Sequence, residues 1–268
     1  MTQSTTALHA LLLLSDSALP LGSFAFSSGL ESFLAHRKSK TGANRTPGPP
    51  NGTVQDIEYF HAFLELSLEN LASTALPYVT TSARSGCDAD VKQVLLDLDN
   101  DFDASTPCTV ARRASISQGK ALLAIWERAL CSSASATEKS LALASAVSDC
   151  ALLVKASKPG TLLTSSYNGH LPPLFGAVAS AMGLDIGHTS YLFLLNHAKA
   201  ILSAAVRASV LGPYQSQSVL ASSSLQAHIK VLIEHYGAVN AEDAAVSVPT
   251  MDVWMGRHEL LYSRIFNS

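Results

Sequence analysis

The sequence has no closely spaced cysteines. Its four cysteines, Cys87, Cys108, Cys131 and Cys150, stand about twenty residues apart with no C-x-x-C pair. That spacing suits neither a zinc site nor a disulfide framework and favours reduced thiols in the cytosol. Charge is sparse too, at 15% of residues with a net value of −3, so no basic footprint exists for nucleic acid or an anionic membrane. The apolar run LHALLLL at the start is too short to span a bilayer, and no Lys or Arg precedes it, so neither a membrane span nor a secretory leader is expected. Aromatic residues make up only 7% of the chain. No repeat of fixed period appears, which excludes a solenoid.

Catalytic signatures are missing as well. There is no G-x-x-x-x-G-K-[ST] phosphate cradle, no G-x-G-x-x-G after a strand and no G-x-S-x-G elbow. His258-Glu259 begins like H-E-x-x-H, but Tyr262 occupies the place of the second ligand. His228 and His235 are seven residues apart, too far for an i, i+4 metal pair. No catalytic residue, metal ligand or resident cofactor is therefore assigned, and a binding or scaffolding role is favoured over an enzyme.

What is abundant is Leu, Ala and Val. At 47% hydrophobic, the chain can bury a large core, and with few β-branched runs it favours helix over sheet. The expected fold is all-α, a single globular domain over residues 1–268 with about ten helices. Leu8 to Leu14 reads as a short buried helix, and Gly29 to Arg37 as a second one. Lys38 to Gly52, with three prolines and three glycines, is a flexible loop. A strong helix starts at Thr53, with Thr53 and Asp56 in a capping pattern. Its core face is Ile57, Phe60, Leu64, Leu68, Leu71 and Ala75, with Pro77 kinking or ending it. Asp88 to Asp99 is a weaker acidic helix and Asp101 to Pro107 a loop. Further helices follow over Ser115 to Leu130, Glu138 to Val154, Leu174 to Met182, Thr189 to Leu211 and Ser216 to Tyr236. Lys158-Pro159-Gly160 makes a turn. Within them, Gly119 suggests close approach of another backbone, or is simply tolerated. The polar stripe Asn196, Lys199, Ser203 and Arg207 reads as a solvated face. In the tail from 249 to 268, His258, Leu261 and Ile265 share one side of a short helix, and so could Arg257 and Arg264. Such an end is either frayed or docked on something else.

The stretch Ser15 to Glu31, SDSALPLGSFAFSSGLE, organises the rest. Pro20 and Gly22 break the incoming helix, and Ser27 or Ser28 can cap the next. Phe24 and Phe26 sit in the break. Two readings stay open: a tight turn whose rings fall back on the core, or a recognition loop on a helical scaffold. Asp16, Glu31 and Arg264 could pair or line a polar passage, or instead cap helices and bond to backbone groups.

This stretch resembles the signature of the urease accessory protein UreF family, D-s-x-x-P-x-G-x-[FY]-x-x-S-x-G-L-E. Four more segments agree in order: RASISQGKAL from Arg113, GHLPPLFGAVASAMGL from Gly169, the N…VR…LGP run of Leu195 to Pro213, and the tail HELLYSRIFNS. Relative to compact members of the family, Lys38 to Gly52 looks like an insertion. Phe26 stands where many members carry His or Trp.

The resemblance implies an all-α, cytoplasmic, commonly dimeric protein without enzymatic activity. It would bind the accessory protein UreD (UreH) and recruit the GTPase UreG, and the assembly would deliver nickel to apo-urease. Asp16, Pro20, Gly22, Ser23, Phe24, Ser27, Gly29, Glu31 and Arg264 would lie on the UreG side. Arg257, His258, Glu259, Leu261, Tyr262, Ile265 and Phe266 would lie on the UreD side, in a tail that depends on that partner for its order. The alternative is a metallochaperone that carries nickel on its own His and Cys residues.

Overall fold

A computed structural model describes residues 5–40, 54–156 and 167–267. Among them are twelve α-helices and no strand. In chain order these are α1 (Thr5–Ser15), α2 (Leu30–Lys40), α3 (Val54–Thr74), α4 (Leu76–Arg84), α5 (Val91–Ser105) and α6 (Thr109–Ile125). They continue with α7 (Glu138–Ala156), α8 (Leu171–Ala181), α9 (Ile186–Arg207), α10 (Pro213–Leu220), α11 (Ser223–Tyr236) and α12 (Thr250–Arg257). The expected Thr53 cap, the Lys158-Pro159-Gly160 turn and the loop beyond Lys40 lie outside the described residues.

The centre is a pair of helices that give almost nothing to solvent. In α4 the residues Leu76 to Thr80, Ser82 and Ala83 are buried, and in α8 everything from Pro172 to Ala181 is. Small side chains let the two backbones touch: a Cβ on Gly176 would stand 2.0 Å from the Val79 carbonyl oxygen. Around this pair lie α3, α5, α6, α7 and α9. The face of α3 expected from its period is the face that packs. Phe60, Leu64, Leu68 and Ala75 are buried, and Ile57 and Leu71 sit at the edge of the core.

Several expectations are revised. Pro77 does not merely end α3; it sits in the first turn of α4, where a missing N–H costs nothing. The segment Asp101 to Ser105 is helix, not loop, because Phe102 is buried edge-on against Tyr78, whose hydroxyl donates to Asp101 at 2.8 Å. Ser216 to Tyr236 is two helices: the Ser222 hydroxyl accepts the Leu225 N–H at 3.2 Å and restarts the chain as α11. These changes raise the helix count from the expected ten to twelve. The helix α1 is not buried all round, since Leu8 and Leu12 are exposed. Lys38 to Lys40, expected to open a loop, belong to α2. Gly119, by contrast, is a genuine close approach, with the Gly169 carbonyl oxygen 2.0 Å from where its Cβ would be.

That approach brings α6 against the start of α8, where buried polar groups form a knot. The Asp99 carboxylate, on α5, accepts the backbone N–H groups of Asn168, Gly169 and His170 at 2.8, 3.2 and 2.6 Å. Burial raises its pKa, opposed by those N–H donors. His170, fully buried, bridges Ser115 Oγ at 3.0 Å and Asp103 Oδ1 at 3.1 Å. The Ser115 hydroxyl also accepts the Leu171 N–H at 3.2 Å, so α5, α6 and α8 share one network.

Candidate functional site: the early turn and the C-terminal tail

The chain leaves α1 through a series of local bonds. Asp16 Oδ1 accepts the Ala18 N–H at 2.9 Å, and the Asp16 carbonyl accepts the Leu19 N–H at 3.1 Å. Pro20 follows, and Gly22 takes a left-handed φ of 73° that opens a short 3-10 turn, Ser23–Ala25. Nothing lies within 4 Å of a Cβ at Gly22, so its conformation alone calls for glycine. At Gly29 both demands apply: φ is 88°, and a Cβ would stand 3.1 Å from the Met255 nitrogen of α12. Ser27, not Ser28, caps α2: its buried hydroxyl accepts the Glu31 N–H at 3.4 Å, while Ser28 sits at φ 50°.

The polar stripe of α9 holds this turn in place, and the solvated-face reading of that stripe is corrected. Asn196 Nδ2 donates to the Leu14 carbonyl at 3.0 Å and Lys199 Nζ to the Ser15 carbonyl at 2.7 Å. These are end carbonyls of α1, where helix bonding leaves them open and a cation opposes the helix dipole. Burial lowers the pKa of Lys199, countered by Asp16. One helical step beyond Ser203, the Arg207 guanidinium donates to the carbonyl of Phe24.

With its backbone fixed, the turn presents Phe24 outward at 64% exposure, while Phe26 is half-buried. Between the turn and the body lies a cleft of about 280 Å³, lined by parts of α3, α9 and α12 as well as Asp16, Phe24 and Phe26. His197 borders it, with Nε2 2.9 Å from Ser67 Oγ. Burial pushes His197 down to about 4, so its ring is neutral near pH 7.

The tail packs on the same side of the molecule. The short helix expected there ends at Arg257, passes through a 3-10 turn (His258–Leu260) and becomes irregular. His258 and Ile265 therefore do not share a helix face: His258 is fully buried and Ile265 is 63% exposed. The carboxylate of Glu31 gathers this segment. Its oxygens accept the Ile265 N–H at 2.7 Å and the Phe266 N–H at 3.2 Å, and one lies 3.0 Å from His258 Nε2. Phe266 is buried, and the Asn267 N–H donates to the Ala25 carbonyl at 2.8 Å. Glu259 pairs with Arg264 at 3.0 Å and with Arg113 of α6. Arg113, then Arg264, holds its carboxyl below the usual range.

Of the residues singled out from sequence, Ser23, Phe24, Glu31, His258, Ile265 and Phe266 are gathered on this face. Asp16 borders the cleft and Glu31 and Arg264 do not; Asp16 and Glu31 accept backbone N–H groups, and Arg264 pairs with Glu259. Arg257 and Tyr262 point to solvent, and Leu261 is half-buried. The sequence reading missed Asn196, Lys199 and Arg207, which looked like a wet face, and Arg113, quoted in a motif but given no role.

Other chemistry is sparse. All four cysteines are free. Among the described residues no group of three or more His, Cys, Asp or Glu side chains is placed to hold a metal ion, and no helix is long and apolar enough to cross a membrane.

Comparison with known proteins gives a consistent picture. A model of the UreF family matches residues 54–224. A UreF-like urease accessory protein of Schizosaccharomyces pombe is 37% identical over the whole of both chains. Urease accessory protein 6 of Cryptococcus neoformans is 29% identical over 99% of this chain and 98% of its own. The urease accessory protein UreF of Trichodesmium erythraeum is 27% identical over 96% and 95% respectively.

Proposed function

The chain belongs to the UreF family of urease accessory proteins, and from that membership we propose that it is a non-catalytic adaptor in urease maturation. Through its tail it binds UreD (UreH); through the turn that carries Phe24 it recruits the GTPase UreG. The resulting assembly delivers nickel, as cargo, to apo-urease. The protein works in the cytoplasm as a homodimer, and nickel is handled by the complex.

The observation that carries this reading is a set of exposed apolar side chains on tightly held backbone. Phe24 is 64% exposed, Leu260 79%, Ile265 63%, and Tyr262 wholly so. The backbone at Phe24 is bound to α9 and that at Ile265 to Glu31, with Asn267 tied to Ala25. Large apolar groups displayed on ordered backbone lose little entropy on association, which is what a contact surface needs. The rival in which this chain itself carries nickel has no clustered donor set among the described residues to support it.

Deleting Arg257 to Ser268 is expected to abolish co-purification with UreD while helical content stays near that of the full chain. Phe24→Ala is expected to weaken UreG recruitment by at least about tenfold, with a stability change within about 0.5 kcal/mol because the ring is exposed. Unchanged capture of both partners by both variants would refute the reading. Equilibrium dialysis tests the rival: stoichiometric submicromolar nickel on the isolated chain would establish it.

A further inference from the structure

The N…VR…LGP run places Arg207 in the last turn of α9, where it touches both elements of the contact face. Its guanidinium donates to the Phe24 carbonyl, and its Cζ lies 4.4 Å from the centroid of the Phe266 ring. One edge of a planar cation therefore grips the turn while one face covers the anchor of the tail. Beside it the Asn267 N–H reaches the Ala25 carbonyl at 2.8 Å, so the two segments run alongside each other.

We propose that Arg207 is the positioning residue that makes the turn around Phe24 and the tail at 261–267 a single contact surface. The proposal rests on the adaptor reading above. Its physical basis is the division of labour within each segment. The Phe24 backbone is tied inward so that its ring is presented outward. Phe266 is buried so that its neighbour Ile265 is exposed. Both anchors converge on one guanidinium, a side chain that touches turn and tail together; the other tie between them among the described residues is the main-chain bond from Asn267 to Ala25. Glu31 fixes the Ile265 and Phe266 amides but does not touch the turn's 3-10 segment. Gly22 and Ser28, both at positive φ, flank that segment, so without its tie the turn has two ready pivots. Lysine cannot substitute. A point-like ammonium can reach the carbonyl or sit over the ring, but it lacks the flat fork that does both. The guanidinium keeps its charge throughout, although burial shifts its pKa downward.

The test uses the full chain with Arg207→Lys, Arg207→Gln and Phe266→Leu, read by amide hydrogen exchange and by affinity for UreD and UreG separately. In both Arg207 variants, exchange at Phe26 and at Ile265 to Asn267 should rise at least about tenfold, with helix-core amides and the melting temperature unchanged. Both partners should then bind at least about tenfold more weakly. Phe266→Leu keeps an apolar plug but removes the ring; it should loosen the turn as well as the tail. Wild-type exchange in both segments of Arg207→Gln would overturn the proposal. So would loosening of the tail alone, or retained affinity for both partners in a loosened variant. If the wild-type chain binds neither partner, the adaptor reading fails, whereas the exchange measurement still decides whether Arg207 orders both segments.

Discussion

Glu31 and His258, 227 residues apart in the chain, meet inside the protein with Nε2 of the imidazole 3.0 Å from Oε2 of the carboxylate. The His258 side chain is fully buried and that of Glu31 is 12% exposed. The same carboxylate takes two backbone N–H groups from the tail, so a single side chain at the start of α2 closes the far end of the polypeptide. A hub of this kind is costly to disturb. Its donors have no other partner once the acceptor is gone.

Glu31→Ala should therefore destabilise the protein by about 1–3 kcal/mol, through the unsatisfied His258 ring and tail amides. Urea unfolding measures the loss. Hydrogen exchange at Ile265 and Phe266 should accelerate more than at any core helix. Glu31→Gln, which keeps one oxygen acceptor, should lose less.

His197 makes a second prediction. Its folded pKa, about 4, lies below the ordinary histidine value of about 6.5, so the folded state disfavours the charged ring. The sign follows: stability is fully present above pH 6.5 and is lost as pH falls toward 4. A shift of that size corresponds to at most about 3 kcal/mol, and less where water in the cleft reaches the ring. Urea midpoints from pH 7 to 4 should fall more steeply in the native protein than in His197→Gln.

Replacing a helical glycine with alanine ordinarily stabilises a helix by roughly 1 kcal/mol. At Gly119 and Gly176 the sign should reverse, because the new methyl would meet a carbonyl oxygen of a neighbouring segment at 2.0 Å in each case. A loss of about 1–3 kcal/mol by thermal or urea unfolding is expected for Gly176→Ala. Gly22→Ala is a contrast: it meets no atom within 4 Å and pays only for its left-handed φ.

Salt should act on the tail but not on the core. Glu259 is exposed and held by Arg113 and Arg264, so raising ionic strength screens both pairs. Exchange at the tail amides should increase with salt in the native protein and become less salt-sensitive in Arg113→Ala. Glu259's carboxyl sits below its usual pKa, so this contribution is present at neutral pH and fades as pH falls through the acid range.

The chain states its helical character openly and its contact face only in part. Phe60, Leu64 and Leu68 recur at helical spacing because α3 has one wet side, and that contrast is what periodicity detects. The helix α4 has no such contrast. Being buried nearly all round, it shows no stripe, and Pro77 reads as an ending instead of a beginning. Asp101 and Asp103 make the end of α5 look like loop, and Asp99, in what reads as a weak acidic helix, is one of the most deeply buried groups in the protein. The turn around Phe24 was legible from its Pro and Gly. What holds it was not, because Asn196, Lys199 and Arg207 bond to carbonyls more than 180 residues away, and a polar stripe looks the same whether water or backbone accepts from it.

The inner pair α4 and α8 is drawn from chain segments that supply none of the displayed apolar groups. The parts that set the architecture and the parts shown to other proteins are thus separate stretches of sequence. Outward residues such as Tyr262 and Leu260 are free to drift with whatever they meet in a given lineage, while residues 76–84 and 171–181 answer to one another's volume and to that of the helices packed around them. Chimaeras that exchange the terminal dozen residues between relatives should consequently fold alike and differ in whom they recognise.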